Sequence, residues 1–75
     1  MTPAQCRMAR AALELGVREL AERAKVSTNT LTRFERGDPL RERTVDAIRA
    51  ALEAAGVIFL DNGEGPGVKL RRGKD

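Results

Sequence analysis

The sequence predicts a mainly α fold: four short helices followed by a C-terminal β-hairpin. Three observations lead there. Apolar residues recur at helical spacing as far as Gly56. Breakers separate the periodic stretches, namely Gly16, the Gly37-Asp38-Pro39 run and Gly56 itself. Beyond Gly56 the pattern switches to the consecutive β-prone residues Val57-Ile58-Phe59-Leu60. A Gly-rich stretch from Asp61 to Gly67 comes next, then the alternating Val68-Lys69-Leu70-Arg71.

Thr2-Pro3-Ala4-Gln5 opens the first helix. Thr2 is its N-cap, Pro3 occupies the first helical position where its missing N–H costs nothing, and Gln5 completes a capping box. The helix is expected to run to about Leu15. Cys6, Ala9 and Leu13 line one face, with Arg7 and Glu14 outward. Gly16 caps a second helix, Val17 to Ala24, whose apolar stripe is Leu20, Ala21 and Ala24. Ser27 caps a third, Thr28 to Arg36, with Leu31 and Phe34 inward and Gly37 as its C-terminal cap. The fourth is expected from about Arg41 to Ala55, with Val45, Ile48 and Leu52 inward. Val57 to Arg71 then forms the hairpin, and Arg72 to Asp75 a frayed basic tail. The division is therefore residues 1–56 as a helical domain and 57–75 as hairpin plus tail.

At 75 residues the chain has room for one small core and no separate catalytic module. No His and a single Cys exclude internal disulfides, Cys/His metal sites and His-based catalysis, so no metal and no cofactor is expected. Cys6 reads as a small buried apolar residue. No apolar run approaches the roughly 18 residues a membrane helix needs, and no signal-peptide pattern opens the chain. A cytoplasmic protein without membrane association is expected. The net charge of +3 matters only if the arginines gather toward a polyanion.

Only Lys25 to Ser27 separates the second and third helices. Two short helices so joined must cross steeply, with a small residue, Ala21, where the backbones approach. Leu20-Ala21, Val26-Ser27, Leu31 and Phe34-Glu35-Arg36-Gly37 together resemble the Cro/C1-type, or XRE-like, helix-turn-helix family, over roughly residues 5–55. The resemblance implies a DNA-binding transcriptional regulator whose second motif helix lies in the major groove. It places Thr28, Asn29, Thr32 and Arg33 against base edges. Their chemistry agrees: Arg pairs bidentately with guanine, Asn with adenine, and a Thr methyl packs on the thymine methyl.

Arg41 and Arg43 resemble the family's backbone-contacting loop, where they would meet phosphate or a minor groove, with Arg18 and Arg36 as further phosphate candidates. Arg10 and Glu35 match family positions where a charge pair ties the first helix to the end of the recognition helix. The chain departs from the family pattern at Gly16-Val17, where Ser or Thr followed by Gln is usual. It departs again at Lys25, in a turn position often held by Gly; Lys25 must go left-handed or the turn must change. Gly63-Glu64-Gly65-Pro66-Gly67 lacks the following helix and the Lys-Ser/Thr pair of a phosphate-binding loop, so it reads as the hairpin turn.

Because all of Val57 to Leu60 is apolar while strand side chains alternate between faces, one face covers the helical core and the other needs a cover. A homodimer through Val57, Ile58, Phe59, Leu60, Val68 and Leu70 is the expected cover, and it would set two reading helices on adjacent turns of a pseudo-palindrome. The functional expectation is thus a dimeric repressor of double-stranded DNA that needs no small-molecule ligand, with room for a regulatory protein partner. Two alternatives stay open: an antitoxin-type regulator that binds a toxin, and a protein-interaction module of the same shape. An enzyme is not expected, since no nucleophile–base pair or carboxylate dyad is present.

Overall fold

The structure, a computed structural model, describes residues 1–72. Most of the basic tail, Gly73 to Asp75, lies outside the described residues. The element order is α1 (Pro3–Leu13), α2 (Val17–Ala24), α3 (Thr28–Arg36), α4 (Glu42–Ala54), β1 (Val57–Asp61) and β2 (Pro66–Leu70). This is the mainly α architecture with a C-terminal hairpin that the sequence predicts.

The local signals act where the residues stand. Thr2 Oγ1 accepts from the Gln5 N–H at 3.0 Å, and Gln5 Oε1 accepts from the Thr2 N–H at 2.9 Å, closing the capping box. Ser27 Oγ accepts from the Thr30 N–H at 3.0 Å at the start of α3. Gly37 ends that helix at φ 103°, a left-handed conformation that glycine takes without steric cost. Lys25 adopts φ 60° at the end of α2, so the steep turn keeps its shape at roughly 1 kcal/mol of strain.

Three elements differ from expectation in their bounds. α1 stops at Leu13 because Glu14, not Gly16, turns left-handed at φ 58°, and the Leu15 N–H bends back to the Arg10 carbonyl at 2.9 Å. α4 is shorter by a residue at each end, with Arg41 and Ala55 as its caps. The hairpin turn is tighter than the Gly-rich stretch suggested, since Pro66 and Gly67 already belong to β2. Pro66 is tolerated there because it starts the strand, where no ladder donor is demanded of it.

Leu20, Leu31, Ile48 and Leu52 are fully buried at the centre, together with Cys6, Ala9, Ala21, Ala24, Phe34 and Val57. Each of the large aliphatic side chains stabilises the fold by about 1.5–3 kcal/mol. The hairpin belongs to this same core: Val57 is one of its members, and Phe59 and Val68 pack against it. The hairpin, through Val57, Phe59 and Val68, thus packs onto the helical core.

The strands pair antiparallel in the register Val57↔Leu70, Ile58↔Lys69, Phe59↔Val68, Leu60↔Gly67 and Asp61↔Pro66. Directly opposed residues share a face, so Val57, Phe59 and Val68 face the helices while Ile58, Leu60 and Lys69 face away. The six residues expected at a dimer interface differ in their surroundings. Val57 is buried in the chain's own core, Phe59 and Val68 pack half-buried against it, Ile58 and Leu60 are half-buried on the other face, and Leu70 is 46% exposed. Gln5 anchors the hairpin from α1: its Nε2 donates to the Leu60 carbonyl at 3.0 Å and to the Gly67 carbonyl at 2.9 Å. Arg49 on α4 sits over the Phe59 ring, 5.0 Å from its centroid. Among the described residues no helix is long and apolar enough to cross a membrane.

Candidate nucleic-acid interface

The outward face of α3 follows from what its inward face must do. Leu31, Phe34 and Glu35 are buried. At 100° per residue their burial leaves Thr28, Asn29, Thr32 and Arg33 together on one exposed arc. Ala21, 1% exposed, provides the small contact that lets α2 and α3 approach across the turn Lys25-Val26-Ser27.

A polar lock ties the C-terminal end of α3 to α1. Arg10 forks onto the Glu35 carboxylate, with Nε to Oε2 and Nη2 to Oε1 both at 2.7 Å. The Cys6 thiol donates to Oε2 at 3.1 Å, and the Arg10 Nη1 also reaches the Leu15 carbonyl at 3.3 Å. Arg7 Nη1 donates to the main-chain carbonyl of Glu35. The expected pair is therefore present and larger than expected. Cys6 is buried as anticipated but works as a hydrogen-bond donor too, and Arg7, read as merely outward, is a third tie to α3. The spacing of Arg7 and Arg10, one turn apart on α1, was the available signal.

Titration behaviour follows from these contacts. Burial pushes the Glu35 carboxyl up, but hydrogen bonds from Arg10 and Cys6 outweigh it and hold the group below its ordinary value. The hydrogen bond to Glu35 raises Arg10. Burial, followed by the hydrogen bond to the Glu35 carboxylate, pushes the Cys6 thiol far up, so the sulfur stays protonated as the donor this geometry requires.

Two groups of exposed arginines stand near α3 or at helix starts. Arg33 and Arg36 share the Asp38 carboxylate: Arg36 Nη2 lies 2.8 Å and Arg33 Nε 3.5 Å from Oδ2. The hydrogen bond from Arg36 keeps Asp38 below its ordinary value and raises Arg36 in turn. Arg18, Arg41 and Arg43 are also exposed, and among the described residues none of them forms an ion pair. Arg18 is the second residue of α2, Arg41 the N-cap of α4 and Arg43 its second residue. A helix start carries the positive end of the macrodipole, where a cation is disfavoured by about 0.3–1 kcal/mol. These positions do nothing for helix stability and present positive charge, reinforced by free helical N–H groups, to whatever anion approaches.

No protein-family model matches the chain, and no curated protein is significantly similar to it.

Proposed function

We propose that the chain is a Cro/C1-type DNA-binding transcriptional regulator of the cytoplasm, a repressor that acts by occupying its operator as a homodimer. The observation that carries this reading is the placement of Arg18, Arg41 and Arg43, cations without an ion-pair partner among the described residues, at the starts of α2 and α4 where the helix dipole disfavours positive charge. Phosphate is the ligand such positions suit. The arc of Thr28, Asn29, Thr32 and Arg33 adds donors and acceptors matched to base edges. The lock around Glu35 supports the same reading, because base reading requires a helix held at one angle.

A helix of nine residues is about 13 Å long and reads only a few base pairs. Two copies whose reading helices lie about 34 Å apart cover a pseudo-palindrome. Ile58 and Leu60, on the hairpin face turned away from the core, are the residues left to join them, while Leu70, paired with Val57, lies on the other face at its exposed end. The same apolar face favours a second reading, a module that contacts another protein through the hairpin.

The deciding experiment is selection of genomic DNA fragments by the purified protein, followed by titration of the best fragment against scrambled DNA at two salt concentrations. A recurring two-fold motif bound at least about a thousandfold tighter than scrambled sequence supports the regulator. Weak binding that salt erases, with no motif, overturns it in favour of the protein-contact reading. Light scattering of a variant carrying Ile58→Asp and Leu60→Asp tests the dimer: the regulator reading expects a monomer, and an unchanged mass removes the hairpin interface.

A further inference from the structure

We propose that Asp38 sets the sequence selectivity of the α3 face by withholding Arg33 and Arg36 from phosphate; the inference rests on the DNA-binding reading above. Asp38 is placed for this by the helix end itself. Gly37 turns the chain left-handed, and the Asp38 N–H then donates to the carbonyl of Arg33 at 2.9 Å. The carboxylate is thereby held beside the two arginine side chains of the last turn, and the single oxygen Oδ2 serves both.

The two contacts are unequal. Arg36 Nη2 makes a full charge-assisted hydrogen bond at 2.8 Å. Arg33 meets the same oxygen through Nε at 3.5 Å, beyond the roughly 2.7–3.2 Å of a hydrogen bond, so its amino groups at the tip stay open. A DNA phosphate offers Arg36 what Asp38 already supplies, an anionic oxygen, so a phosphate contact there must first displace the carboxylate and gains little. A guanine edge offers Arg33 something different, two acceptors in one plane for the tip of the guanidinium.

Asp38 thus penalises indiscriminate backbone contact by the reading helix more than it penalises base contact. Arg18, Arg41 and Arg43, which have no carboxylate partner among the described residues, carry no such penalty. Backbone attraction is assigned to α2 and α4, and the arginines of α3 are kept for sequence.

The test compares wild type with Asp38→Asn, which keeps the backbone bond and removes the charge. Both are titrated over a salt series against a random-sequence duplex and against the fragment that wild type selects. The expected result is random-duplex binding tighter by about two- to fivefold. The slope of log affinity against log salt should steepen by about 0.9, one further phosphate contact. The selected fragment gains less, so the ratio of the two affinities falls.

Asp46→Asn, an exposed carboxylate of α4 with no arginine partner among the described residues, controls for net charge. In an Arg33→Gln, Arg36→Gln background the effect of Asp38→Asn should shrink to that of the control. An unchanged random-duplex affinity, an effect no larger than the Asp46→Asn control, or an effect that persists without the two arginines overturns the role of Asp38. If wild type binds its selected fragment tightly while any of these holds, only this inference falls. If wild type selects no DNA at all, the DNA-binding reading falls and takes it along.

Discussion

Glu35 and Asp38 lie three residues apart at the end of α3, each beside two arginines, and they do opposite things. Glu35 is buried against α1, both of its oxygens are occupied, and Arg10, Arg7 and Cys6 all converge on it. Asp38 lies at the surface and shares one oxygen between Arg33 and Arg36. The difference lies in the surroundings rather than in the residue types. A carboxylate out of water depends on its partners, and the partners are immobilised with it. In solvent the same pairing is screened and exchangeable, so Asp38 competes with an outside ligand for the arginines instead of fixing them in place.

The largest expected effect is at the buried end. Glu35→Ala leaves Arg10 without its partner and frees α3 from α1, and it should cost about 3 kcal/mol in chemical or thermal denaturation. A loss under about 1 kcal/mol would mean that α3 is held by its apolar face alone and that the two carboxylates are equivalent. Gln5→Ala removes both hairpin ties and half of the capping box; a loss of about 2 kcal/mol is expected. Amide exchange should then quicken in β1 and β2 more than in α4, and uniform exchange would show that the apolar contacts of Val57 and Phe59 suffice.

Acid sharpens the contrast. The Glu35 carboxyl is depressed in the folded chain, so its contribution is fully present above the unfolded value of about 4.3 and is lost as pH falls through the lower folded value. Stability of wild type should therefore decline below about pH 4.3, and Glu35→Gln, though weaker at neutral pH, should show a flatter profile there. Parallel profiles would contradict the depressed carboxyl. The smallest effect belongs to Asp38→Asn, whose unfolding midpoint should match that of wild type at neutral pH. A marked shift would make Asp38 a structural residue of the helix end rather than a partner for exchangeable arginines.

The order of the elements and most of their ends are legible in the sequence because they depend on residues within a few positions of one another. The Thr2/Gln5 box, the Ser27 cap and the Gly37 turn are local chemistry, and each appears where the sequence puts it. The arc of Thr28, Asn29, Thr32 and Arg33 is equally local, since the apolar spacing of Leu31 and Phe34 dictates which side of α3 is left outside. The Arg10–Glu35 pair came from a family resemblance, for nothing in a separation of 25 residues reveals it. Tertiary structure alone decided the rest. Gln5, legible as a cap, also holds a strand 55 residues away. Cys6 and Arg7 reach Glu35 across the α1–α3 packing, and Val57, Phe59 and Val68 turn toward the chain's own core. Such contacts join residues that only packing brings together, and the alternation of a strand says which residues share a face but not which face is covered.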